Sequence, residues 1–289
     1  MVKTGSTKIG DWIIVFICFL LILICILPIL SVVAQSLSSA EFLIRNEVMF
    51  LPKGINLEAY SMVLGDVVYR RSIIWTAFLT VICTVISMIM TTICAYPLTY
   101  DKLKGKKIIG AFIIFTMYFN AGTIPMYMLL KQLNWISKPI VLIIPYTLSV
   151  FNMIIMRSFL YGIPESMRES AEIDGANPIR TLISIYLPMS TPVIASLSLF
   201  YAVGRWNGFS DALMFMNERK YYPIQQLLYY LINNLAAIDT SSVEGFNPPG
   251  MLDSVRAATI MVATIPILLV YPWLQRYFVA GVTLGAVKG

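Results

Sequence analysis

The sequence predicts an all-α, polytopic membrane protein with about six transmembrane helices. Composition is the first reason: 58% of residues are hydrophobic and 12% are charged, where soluble domains run near ~25% charged. Charge placement is the second. Residues 12–40, 72–100, 108–130, 139–156, 181–204 and 257–275 carry no charge at all. A helix needs about 20 apolar residues to cross the hydrocarbon core, and each stretch is of that order. The third reason is continuity. A transmembrane barrel would show short alternating segments, whereas these runs are unbroken. Helix is also the form that satisfies every backbone group internally in lipid. The whole chain, 1–289, therefore reads as a single transmembrane domain.

Span 1 covers about 12–34. Lys3 and Lys8 precede it as in a signal peptide, but the apolar run is too long for an ordinary signal and reads as a retained helix. Residues 35–71 form a polar loop, and span 2 follows at about 72–97. Lys102, Lys104, Lys106 and Lys107 then crowd between two span ends. That basic loop should be cytoplasmic under the positive-inside bias, which puts both termini on the cytoplasmic side. Spans 3 and 4 lie at about 108–129 and 139–158. A charged cytoplasmic loop, 159–188, precedes span 5 at about 191–209. Residues 211–256 form an extracytoplasmic loop, and span 6 covers about 257–275. Within the outer loop, 221–238 is also uncharged but holds Gln225, Gln226, Asn233 and Asn234. It reads as a helix on the outer surface or at the interface, a buried or re-entrant element being the alternative.

Several function classes are excluded. The formal charge of +6 resides in tails and loops and forms no aromatic-interleaved patch for nucleic acid. Histidine is absent, and Cys18, Cys25, Cys83 and Cys94 all fall inside spans without a paired motif. No catalytic site, metal or cofactor is expected in this chain. Glu165, Glu169 and Glu172 lack any metal-supporting histidine. No phosphate-binding Gly-x-x-x-x-Gly-Lys-Ser/Thr loop occurs, so ATP is not hydrolysed here. A secondary transporter would bury ion-coupling carboxylates, and none is central in the six spans. That class and a non-transport membrane scaffold stand as the alternatives to the reading below.

The loop at 164–188 is the most informative segment. Pro164 suits a helix start, Glu165 suits the first turn, and Asp174-Gly175 suits a left-handed stop. Pro178 suits a second short helix, bounded by Pro188 near span 5. Two short helices around a rigid turn form either a solvated, capped surface loop or a docking lever for a cytoplasmic partner. Polar groups inside a bundle are costly unless paired or facing a cavity. Asn120, Asn152, Arg205, Trp206 and Asn207 are therefore candidates for a substrate path. Other roles stay open: Asn152 pairing between helices, Trp206 anchoring the interface, and Arg205 pairing with Asp211 or snorkelling outward.

Glu169-Ser170-Ala171-Glu172-Ile173-Asp174-Gly175-Ala176, followed by a hydrophobic run to Leu187-Pro188, resembles the EAA loop of binding-protein-dependent ABC importer permeases; Ser170 departs from that pattern. The tail from Gln275 to Gly289, together with Ala95-Tyr96-Pro97-Leu98 and Trp206-Asn207, is similar to carbohydrate permeases of the maltose-transporter MalG type. Phe115 through Met126 looks like the subgroup acting on complex or acidic polysaccharide fragments. The resemblance covers nearly the whole chain. It implies the type I ABC importer permease fold, in an inner membrane, and a half-pathway for a sugar or oligosaccharide. It further implies a second permease subunit, two cytoplasmic ATPase subunits carrying ATP-Mg, and an extracytoplasmic solute-binding protein. Glu169, Ala171, Asp174 and Gly175 become the residues expected to couple to the ATPase.

Overall fold

The computed structural model describes residues 5–119, 121–233 and 251–286, with side chains from 10 to 270 within those ranges. Asn120 and residues 234–250 of the outer loop lie outside them, as do the side chains of the tail. The described chain is helical, without a named strand. Three stretches are long and apolar enough to cross a membrane: Gly10–Ser36, Val67–Thr99 and Met251–Val270. Three further helix pairs meet the same test only when each bent pair is taken together, which brings the number to six.

The chain forms two compact units. The first comprises residues 1–70 and 227–265. Its helix α1, Gly5–Ser36, includes Pro28 and is apolar on all sides. A helix of this kind belongs in lipid or against another chain. The stretch after it is structured, in contrast to the expected polar loop. It holds α2 (Ala40–Ile44) and α3 (Glu58–Gly65), the second begun by the Asn56 side chain accepting from Glu58 N–H at 2.8 Å. Ala59 and Val63 of α3 pack with Val255 and Ala258 of a long helix, Met251–Ala286. Ser36 and Tyr60 hydroxyls meet at 2.9 Å beside this core.

The second unit comprises residues 71–226 and 266–289. It is organised around α4, Val67–Ala95. Ser72, Thr76, Leu79, Cys83, Ser87, Thr91 and Ala95 are buried along it at helical spacing. Small and hydroxyl side chains let neighbouring backbones approach closely. The opposite face, with Ile74, Phe78, Val81, Val85 and Ile89, is exposed. The basic loop follows, then α5 (Lys106–Tyr118) and α6 (Thr123–Gln132), with Gly122 at φ +90° in the break between them. Next come two 3₁₀ turns, Pro139–Leu142 and Ile144–Tyr146, and α7, Val150–Tyr161, bent 46° from them. Proline-bounded turns relieve the backbone pattern where a straight helix would otherwise run. The 159–188 segment holds α8 (Glu165–Ile173), α9 (Pro178–Thr181), a π-helical turn (Leu182–Tyr186) and α10 (Leu187–Met189). Span 5 is α11, Thr191–Asn207, set at 83° to Pro178–Met189. It is followed by α12, Ser210–Phe215, and α13, Ile224–Ile232; the long helix that closes the chain is α14.

Helix α13 shows what the uncharged stretch from residue 221 does up to residue 233. Nine residues rise only about 14 Å, too short to cross. Ile224, Gln226, Leu227 and Leu231 are nonetheless buried. The segment is thus a packed element and not a helix lying open on the surface. Two hydroxyls of α4 hold its start. Ser72 Oγ donates to Tyr222 O at 2.7 Å, and Thr76 Oγ1 accepts from Ile224 N–H at 2.8 Å while donating to Ser72 O at 2.6 Å. The Thr76→Val substitution keeps the volume and orphans the buried Ile224 N–H. It should cost about 1–3 kcal/mol, read as a lowered unfolding midpoint of the purified protein in detergent.

Candidate functional site

The 164–188 loop is built to hold a fixed shape. Pro164 caps α8, and Asp174 ends it. Gly175 then takes φ +77°. Ala176 N–H donates to Ala171 O at 2.9 Å and Gly175 N–H to Glu172 O at 3.1 Å. This 6→1 and 5→2 pair is a Schellman stop, which favours glycine at the left-handed position. Asn177 at once caps the next helix, its side chain accepting from Arg180 N–H at 2.8 Å, with Pro178 in the first turn. No slack residue separates the two helices. The turn presents Ile173 86% exposed and Ile179 68% exposed. Of the expected coupling residues, Glu169, Asp174 and Gly175 are exposed, while Ala171 faces inward and is buried.

Arg168 is the residue that the sequence reading passed over. Its side chain is 9% exposed. It donates to Glu165 Oε1, and its Nε lies 3.5 Å from Glu172 Oε1. Its guanidinium carbon sits 4.6 Å from the centre of the Tyr100 ring. A desolvated cation–π contact of this kind contributes about 2 kcal/mol. The carboxylates at i−3 and i+4 were the available signal. Nearby, Lys106 Nζ donates to Asp101 Oδ1 at 2.7 Å, and that ammonium holds the exposed Asp101 carboxyl below its ordinary pKa. Lys106 also lies over the Tyr161 ring at 5.2 Å.

A cavity of about 1210 Å³ opens within the second unit. Asn152, Arg205 and Asn207 line it, with Tyr146, Ser149 and Asp211. Phe119, Phe151, Phe200, Tyr201 and Phe209 supply aromatic wall. Asn152 N–H also donates to Ser149 Oγ at 3.3 Å, the cap of α7. Trp206 does not line the cavity and is buried elsewhere on α11. Arg205 does not snorkel outward. It forks onto Asp211, Nη1 to Oδ2 at 2.5 Å and Nη2 to Oδ1 at 3.1 Å. The same nitrogens donate to Leu142 O at 3.3 Å and Gly208 O at 3.2 Å. Both side chains are about nine-tenths buried. Tyr201 OH accepts from Ser149 N–H at 3.1 Å and meets Thr91 Oγ1 at 2.7 Å, joining α11, α7 and α4 at the cavity edge. Among the described residues no cluster of metal-ligating side chains occurs.

Bent helix pairs apolar enough for a membrane, an open amphipathic cavity within one unit and a stiff exposed loop are features that suit a membrane transport subunit. The chain belongs to the family described as binding-protein-dependent transport system inner membrane component, whose model matches residues 7–284. It is 37% identical over 269 residues to the polygalacturonan/rhamnogalacturonan transport system permease protein YtcP of Bacillus subtilis (strain 168), covering 92% of this chain and 94% of that one. It is 28% identical to the trehalose/maltose transport system permease protein MalG of Thermococcus litoralis, covering 93% and 94%. Among solved structures it is similar to a bacterial ABC transporter involved in import of the acidic polysaccharide alginate. There the TM-score is 0.89 at 30% identity, over 96% of this chain and 99% of that one. The chain is a multi-pass permease subunit with the importer permease fold.

Removing one partner of a buried ion pair leaves the other charge uncompensated. Asp211→Ala should therefore cost about 3–5 kcal/mol, whereas replacing both partners, Arg205→Met with Asp211→Leu, should cost much less. Thermal unfolding of the purified variants in detergent separates the two outcomes.

Proposed function

We propose that this chain forms half of the translocation pathway for an oligosaccharide in an ATP-driven importer, with acidic polysaccharide fragments as the substrate class. The exposed, doubly capped turn at Ile173–Pro178 carries the proposal, because it is a preformed docking surface on a membrane subunit of this family. Two cytoplasmic ATPase subunits would bind ATP-Mg and grip that turn. A second permease subunit would complete the pathway, and an extracytoplasmic solute-binding protein would deliver the sugar. Both termini then lie in the cytoplasm, on the side of the lysine-rich 102–107 loop. The substrate class rests on the named transport of polygalacturonan/rhamnogalacturonan by YtcP and of alginate by the similar structure. The cavity fits such a cargo: aromatic faces suit sugar rings, while Asn152 and Asn207 offer amide hydrogen bonds.

Gly175 tests the docking role. A Cβ there would meet nothing within 4 Å, but φ is +77°. Gly175→Val should therefore be tolerated by the packing and resisted by the backbone, at about 1–2 kcal/mol, reshaping the turn. In proteoliposomes holding the complete importer, the variant should lose most sugar uptake. Uptake at the wild-type rate would refute the docking role. A panel of oligogalacturonides and maltodextrins in the same vesicles tests the substrate class; import of maltodextrins alone would refute it.

A further inference from the structure

Both arms of the cytoplasmic loop are fastened to one elbow of the membrane bundle. The elbow is the 3₁₀ turn Pro97–Thr99 that ends α4, flanked by Tyr96 and Tyr100. The guanidinium of Arg168, from α8, lies 4.6 Å from the Tyr100 ring centre. The Tyr100 ring meets Tyr96 edge-on at 5.3 Å and 88°, and their hydroxyls are 2.6 Å apart. Tyr96 in turn meets Tyr186 edge-on at 5.0 Å and 70°. Tyr186 belongs to the π-helical turn at the far end of the same loop. Four side chains thus tie α8, the elbow and the loop's second arm into one node.

We infer that this node transmits displacement of the loop into α4, with Arg168 and Tyr100 as positioning residues for the coupling of ATP hydrolysis to transport. Packed aromatic rings deform little. Glu165 and Glu172 hold the Arg168 charge in place from both sides. From the elbow the route leads to the cavity. Cys83 and Ser87 of α4 line it. Thr91 of α4 is hydrogen-bonded to Tyr201 of α11, the helix that carries Arg205. A shift of α4 would therefore move two walls together. The inference rests on the proposed docking of the loop on the ATPase subunits.

The test uses the complete importer in proteoliposomes, with the oligosaccharide that the wild-type complex imports. Tyr100→Leu should retain the ATPase subunits and their ATP hydrolysis, while sugar moved per ATP falls about tenfold, the order expected for a lost desolvated cation–π contact. Tyr100→Phe keeps the ring and should restore most of the coupling. Arg168→Met should match Tyr100→Leu, and the double variant should be no worse than either, since both break one contact. A readout independent of sugar is a fluorophore on Gly204→Cys, with the native cysteines replaced by Ser. Gly204 lines the cavity and has open space for a side chain. ATP with vanadate should change its emission in wild type and leave it unchanged in Tyr100→Leu. Unaltered sugar per ATP in Tyr100→Leu, or loss of the ATPase subunits from it, would overturn the inference. Additive effects in the double variant would do so as well. Ile173→Asp addresses the docking itself. Shedding of the ATPase subunits supports docking, and full retention with normal coupling defeats that reading whatever Tyr100→Leu does.

Discussion

Lipid offers no hydrogen-bond partner, and the architecture follows from that constraint. Each backbone group that leaves the regular helix pattern must find a partner within the protein. The breaks in the spans accordingly sit where side chains or turns supply one. Thr76 receives the first N–H of α13, Ser149 caps α7, and Tyr201 OH receives Ser149 N–H. Arg205 is the strongest case. It is a buried charge at the end of α11 whose Nη donors are all taken, by Asp211 and two carbonyls. Ser149, Tyr201, Arg205 and Asp211 also line the cavity, so the groups that settle these breaks shape it as well.

Outside the membrane the constraint reverses. Water satisfies the backbone, so the 164–188 loop needs other reasons to be rigid. It gains them from consecutive caps: a glycine stop, an asparagine start and a proline within three residues. Such a loop loses little conformational freedom when a partner binds. Rigidity also lets it act on what lies behind it, and Arg168 with its tyrosines lies behind it.

The spans were legible because hydrocarbon excludes charge over lengths that a helix fixes, so a count along the chain finds them. The turn between α8 and α9 was legible because glycine, asparagine and proline have conformational meanings that do not depend on distant contacts. The breaks at Gly122 and around Ser149 were not, since apolar residues continue on both sides and a sequence run does not register a bend. Residues 224–232 misled for a related reason. Their amides suggest an exposed surface, but Gln226 is fully enclosed. Trp206 was grouped with Arg205 and Asn207 by adjacency, although successive helix residues point about 100° apart. Arg168 was missed because three glutamates on a short helix look like a solvated face until the arginine between them is seen to be buried.

Helix α1 raises a separate matter. Over its most apolar stretch none of it is buried by the rest of the chain. Its apolar run, residues 12–34, would reach about 35 Å if straight, against about 30 Å of hydrocarbon. Its last turn is held, with Ala34 and Ser36 buried and Ser36 on Tyr60, but the apolar length before that turn meets the bilayer directly. In a thin bilayer it tilts, and in a thick one it stands more upright. The acyl-chain length chosen for reconstitution thus acts as a structural variable for this subunit, as real as any substitution.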